Sequence, residues 1–220
     1  MVEGRLISLQ EAYNMVRDDP FSQRNLEVPH YIAGVESVDG LDLDKLLKGQ
    51  QVLEKLEGRI SNLDLGSFDL LMDVGIIFNS RIRQMLGSSR VEIMSGSSKV
   101  ERMYDSSQVR GMSGFSSVGA MLGSSQVRGM SGSSRVERMY DSSQVEVMSG
   151  SSQVRAMSGS SQVRGMSGFS SVGAMLGSSQ VRGMSGSSRV ERMYDSSQVR
   201  GMSGSSEVGS MSDFSKVGNC

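Results

Sequence analysis

GSSQVRGMS, residues 123–131, is a polar nonapeptide whose near-copies fill the chain from Phe78 to Cys220. Met recurs every nine residues from Met85 to Met211 without a slip. Val keeps the same step from Val91 to Val217, with Ile82 in its place in the first unit, and a Ser stands two residues before each. The unit is G-S-S-x-V-x-x-M-x, repeated about sixteen times. One extra residue would misalign every unit beyond it, so this unbroken register is what a stacked solenoid demands. A helix fits poorly, because Ser, Gly and Val are weak helix formers and each Gly costs about 1 kcal/mol. A Gly/Ser linker has no use for strictly spaced Val and Met. The pattern predicts a mainly β fold, a β-solenoid of the β-helix or β-roll kind.

Counting units from Val91, the odd units read QVRGMS or QVEVMS from the third onward. The even units vary among KVERMY, SVGAML, RVERMY, QVRAMS and EVGSMS. Alternation at every second unit predicts 18 residues per coil, with odd units on one face and even units on the other. About eight coils at the ~4.8 Å spacing of neighbouring strands make a rod of ~38 Å. A short strand around S-x-V is expected to turn Ser and Val inward. Met is then expected past a bend, in the middle of a narrow core that its flexibility suits. The Gly four residues before each Val marks a corner with positive φ, and Asp105, Asp141 and Asp195 replace it there. The inward Ser is expected to satisfy backbone groups at the bend. Ser106–Val145 and Ser160–Val199 are identical and lie three whole coils apart, which reads as duplication by coils.

Residues 1–77 are expected to form an α-containing capping domain ahead of the solenoid at 78–220. Ser8 and Glu11 suit a capping box on a helix over LQEAYNMVRDD, ending before Pro20. A second helix is expected around Leu43–Leu56, after which the chain turns strand-like and runs into the first unit. Residues 1–86 carry 9 Lys+Arg and 14 Asp+Glu, and residues 87–220 carry 14 and 10. That asymmetry is too small to single out nucleic acid or an acidic decoy. The N-terminus has no signal-peptide core, no apolar run reaches the length of a membrane span, and the single cysteine, Cys220, can form no internal disulfide. A cytoplasmic protein is expected.

His30 has no carboxylate or cysteine partner at an informative spacing, and Cys220 has no neighbouring base. No phosphate-binding loop, nucleophile elbow or metal cluster is present in the sequence. The nine-residue period equals that of calcium-binding β-rolls, but those carry G-G-x-G-x-D where this chain has paired serines, so calcium ligation is not expected. The chain reads as a non-enzyme without cofactor or metal. On the odd face, Gln108, Gln126 and their repeats are expected to stack along the rod. Beside them run Arg110, Arg128, Arg164, Arg182 and Arg200, interrupted by Glu146. Like charges one coil apart gain nothing from folding and point to an anionic partner. On the even face, Tyr104, Tyr140 and Tyr194 follow Arg102, Arg138 and Arg192, residue types that carry interface hot spots. Phe115 with Leu122, and Phe169 with Leu176, read first as a packing adjustment and second as a binding patch. The last units have no cap, which predicts a homodimer through the C-terminal coil.

The expected function is a rigid rod that docks on or blocks a macromolecule, a protein rather than a nucleic acid. An inhibitor of a host complex carried by a phage or mobile element would suit it. The alternatives are a fibre or scaffold segment and nucleic-acid binding through the Arg ladder.

Overall fold

The computed structural model describes residues 73–218 without a break and, before them, the strand segments Ile7–Ser8, Lys55–Ser61, Leu63–Asp64 and Asp69–Leu70. Every regular element among the described residues is a β-strand. The first expected helix lies outside the described residues. So does the second, except that its last residues, Lys55 and Leu56, open a strand paired in parallel with Asp73–Phe78.

The chain winds into a β-solenoid of about eight turns with two parallel sheets. The even face runs through Arg81–Met85, Lys99–Met103, Ser117–Met121 and every second strand to Glu207–Met211. The odd face runs through Arg90–Ser95, Gln108–Met112, Gln126–Met130 and on to Lys216–Val217. Gln126 pairs with Gln144, Val127 with Val145 and Met130 with Met148, so partners lie 18 residues apart and two nonapeptides close one coil.

The core is a double file of Val and Met, continuous from Ile77 to Val199. Met does not lie past a bend, as its spacing from Val suggested; it closes the strand. Gln126, Val127, Gly129 and Met130 all have ladder partners, whereas Arg128 steps out of the ladder. This irregularity recurs in both faces, in the odd face from Asp73–Phe78 to Gln198–Met202 and in the even face from Arg81–Met85 to Glu207–Met211. Two outward residues, rather than the one of a regular pleat, therefore separate the inward Val from the inward Met.

The bend follows Met. In Ser131–Ser134 the Ser134 N–H donates to Ser131 O at 3.3 Å, and Gly132 takes φ of +64°. At the corner entering the even strands this residue is Gly in coil after coil, from Gly96 to Gly204. A Cβ on Gly150 would stand 3.1 Å from Gly132 N and 3.2 Å from Gly132 O, so successive corners nearly touch. The opposite corner carries Gly in some coils and Asp105, Asp141, Asp195 and Asp213 in others, all with positive φ. Aspartate offsets the strain with a charge-assisted bond to the coil before it. Asp141 Oδ2 accepts from Gly123 N–H at 3.0 Å, and Asp195 Oδ2 accepts from Gly177 N–H at 2.8 Å.

The Ser two residues before each Val or Ile is buried as expected from Ser80 to Ser197, but its expected bond to the bend is seldom made. Twelve of these hydroxyls, from Ser89 to Ser197, have no partner, whereas Ser98 Oγ donates to Ser95 O at 2.7 Å. The Ser that follows Met on the odd face bonds instead. Ser131 Oγ donates to Met112 O at 3.3 Å, and Ser149 Oγ to Met130 O at 3.2 Å.

Candidate functional site

The residue after each even-strand Met leaves the sheet at the edge between the two faces, where a side chain is half-buried. Stacking continues through it: the N–H groups of Tyr104, Leu122, Tyr140, Leu176 and Tyr194 each donate to the carbonyl of the Met one coil below at 2.9 Å. Residues 18 apart therefore share one column: Leu86, Tyr104, Leu122, Tyr140, Ser158, Leu176 and Tyr194. Over six coil steps of ~4.8 Å this stripe is ~29 Å long. Its even-face flank carries the exposed Arg102, Arg138 and Arg192, and its other flank the exposed Asp105, Asp141 and Asp195. Arg102 Nη1 donates to Tyr104 Oη at 3.3 Å, and none of the three arginines has a carboxylate partner among the described residues.

The six residues singled out on the even face thus converge on an edge, joined by Leu86, which the sequence reading did not single out, and by Leu122 and Leu176, which it read second as a binding patch with Phe115 and Phe169. The signal for them was present: reading every eighteenth residue from Leu86 gives the whole column.

Arg110, Arg128, Arg164, Arg182 and Arg200 also form one column, with Glu92 and Glu146 in it. Arg110 Nη1 lies 2.7 Å from Glu92 Oε2 and Arg164 Nη1 lies 3.6 Å from Glu146 Oε1. Gln144 Oε1 accepts from Arg164 and Gln162 Oε1 from Arg182, both at 3.2 Å. These glutamines therefore serve the arginines rather than bonding one another along the rod. Only Arg128 and Arg200 of the five lack a partner among the described residues.

Two shallow depressions flank these columns. On the odd face, Ile93 and Val147 wall a notch of about 300 Å³ floored by Gly111 and Gly129. On the even face, Gln153, Arg155, Gly173, Glu191 and Arg192 line a polar cleft of about 270 Å³. The small residues of SVGAM were expected to shelter a phenylalanine, and they do not. Phe115 and Phe169 are 75% and 73% exposed, because each follows a corner glycine and points away from both sheets. Leu122 and Leu176 lie across the coil on the other edge, out of reach of that packing role.

At the N-terminal end of the even face, the Arg81 guanidinium bonds the Glu101 carboxylate, with Arg83 4.0 Å away. That hydrogen bond holds the Glu101 carboxyl below its ordinary value of 4.5; burial, the next-largest effect, opposes it, and the charges of Arg81, Lys99 and Arg83 each add a smaller lowering. A depressed carboxyl contributes stability above its unfolded pKa and loses it as pH falls through the folded value. Urea midpoints measured from pH 6 downward should fall more steeply below about pH 4.5 in the wild type than in Glu101→Gln. Parallel curves would remove the pair from the acid response.

Among the described residues no group of three or more His, Cys, Asp or Glu could hold a metal ion. His30 and Cys220 lie outside the described residues. No helix among the described residues is long and apolar enough to cross a membrane. Comparison with protein families, with curated proteins and with solved structures finds no match to this chain.

Proposed function

We propose that this chain is a non-enzymatic binding protein of the cytoplasm, a rigid rod that docks on a protein partner along its Tyr/Leu edge and needs no cofactor. The observation that supports this reading is the edge column itself. Three tyrosines and three leucines are held half-exposed on a scaffold of stacked coils, beside arginines with no carboxylate of their own. Tyr and Arg are the residues in which interface energy concentrates, and a rigid frame cuts the entropy lost on docking. Blocking a host complex, as a phage or mobile-element inhibitor would, is a task such a rod fits.

A second reading, a fibre or scaffold segment, draws on the C-terminal coil. There Met211, Phe214 and Val217 are exposed, Phe214 to 79%, and two such coils abutting would make an end-to-end homodimer. The nucleic-acid reading draws only on Arg128 and Arg200, since their neighbours are engaged on the rod. The decisive measurement is a binding titration. Wild-type rod and a Tyr104→Ser/Tyr140→Ser/Tyr194→Ser variant are immobilised, and proteins retained from an extract of the source organism are purified and titrated onto both. A partner that binds the variant at least tenfold more weakly is the expected result. Equal binding to both rods, or retention abolished by nuclease and by moderate salt, would overturn the edge as the docking surface.

A further inference from the structure

We infer that the edge stripe pairs with a second copy of this chain, side by side and parallel, with no offset between the two rods. This inference rests on the stripe being a docking surface and names one occupant for it. Across the edge the order is Arg, Tyr, Asp, and it occurs in three rungs: Arg102, Tyr104, Asp105; Arg138, Tyr140, Asp141; Arg192, Tyr194, Asp195. A two-fold axis lying along the edge, parallel to both rods, brings each Tyr onto its counterpart. The same operation sets every Arg of one copy against an Asp of the other. The two-fold axis that crosses the rods makes them antiparallel and sets Arg against Arg and Asp against Asp, which repel. Charge order alone therefore selects the parallel pair.

The spacing of the rungs selects the register. Tyr104 and Tyr140 are two coils apart, Tyr140 and Tyr194 three, and Tyr104 and Tyr194 five. These separations all differ, so any parallel offset aligns at most one rung, and only zero offset aligns all three. The coils between them carry no charge at either flank. Ala120, Leu122 and Gly123 stand in one, and Ala174, Leu176 and Gly177 in another. A shifted pair would leave the arginines and aspartates facing Ala and Gly, while the zero-offset pair also stacks Leu on Leu. The stripe is narrow, so the contact belongs at the small, transient end of interface sizes, and its exposed ion pairs make it salt-sensitive.

Disulfide trapping in a Cys220→Ser background tests both direction and register. Tyr140→Cys is expected to cross-link to itself on mild oxidation. Tyr104→Cys mixed with a size-tagged Tyr194→Cys is expected to give only same-site disulfides, because the mixed product requires an antiparallel pair. Sedimentation equilibrium across the micromolar range should show a monomer–dimer equilibrium in the wild type. It should weaken at least tenfold in Arg102→Glu/Arg138→Glu/Arg192→Glu and be kept in the corresponding Lys variant, with far-ultraviolet circular dichroism confirming that both fold. Deleting Asp213–Cys220 should leave it unchanged, which separates it from end-to-end contact. A monomeric wild type, a mixed disulfide, or a Glu variant that dimerises as strongly would overturn the pairing. A monomeric rod that still binds a foreign protein through its tyrosines overturns the pairing alone. A rod that pairs as described while its foreign partner ignores the tyrosine substitutions leaves the pairing standing and overturns only the foreign-partner reading.

Discussion

Replacing Met139 and Met148 together with alanine is expected to lower the unfolding free energy by about 4–8 kcal/mol. The two side chains are fully buried and come from consecutive nonapeptides, so they fill the two sides of one coil. Each truncation of this kind in a packed core costs about 2–5 kcal/mol, and the two are close enough for their cavities to couple. Met139 stacks on Met121 and Met157, and Met148 on Met130 and Met166. Each coil touches only the coils above and below it, so a hole in the middle of the file also cuts the coupling between the two ends. Urea denaturation followed by circular dichroism should show a lower midpoint and a smaller m-value as the transition splits in two. A loss under about 1 kcal/mol would mean that the coil collapses around the missing thioethers and that Met is not the mainstay of the core.

Inserting a single alanine after Val145 is expected to be worse than any one substitution, at more than about 5 kcal/mol, because it belongs to the rare class that breaks a whole network at once. Val145 and Met148 are both inward, and both are paired to the coils on either side. With one extra residue between them, either the Val or the Met must leave its ladder, and a slip of one residue carries every later side chain to the opposite face. The corner offers little slack to absorb it, since even one Cβ on Gly150 would crowd Gly132 of the coil below. Duplicating a whole coil, residues 141–158, preserves every stacking relation, and its urea midpoint should equal or exceed the wild type. Limited proteolysis distinguishes the two. The alanine insertion should expose the chain beyond Val145, and the coil duplication should not. If both variants resist protease equally, strict register is not what holds the rod together.

The coil was legible before any coordinates because a solenoid converts sequence period directly into position. Val127 and Val145 had to share a file once the odd and even units were seen to alternate, and the positive φ of Gly123 and Asp141 followed from the residue types alone. Three things were not legible, each for a physical reason. Met was expected in the core, but its place within the strand rather than past a bend contradicts a period of two, and only the step of Arg128 out of the ladder explains it. The direction of Phe115 depends on the geometry of a corner glycine, which composition does not report. The Arg column reads as a row of like charges until the diagonal reach of Arg164 to Gln144 is known. As for the candidate site, the tyrosines stood out by type, but Leu122 and Leu176 were tied to Phe115 and Phe169 rather than to them. Their meaning lies in an 18-residue neighbour relation rather than in their own segment.

Closure at two nonapeptides has an evolutionary consequence. A copying slip that adds or removes one coil leaves the hydrophobic file intact and changes only length, so the rod behaves as a ruler graduated in steps of ~4.8 Å. The identical stretches at Ser106–Val145 and Ser160–Val199, three whole coils apart, are what copying by whole coils would leave. An event that copies a coil bearing Arg, Tyr and Asp also carries that rung to a new graduation. Variants of this chain could thereby acquire new rung spacings, and with them new pairing preferences, without altering a single residue of the core.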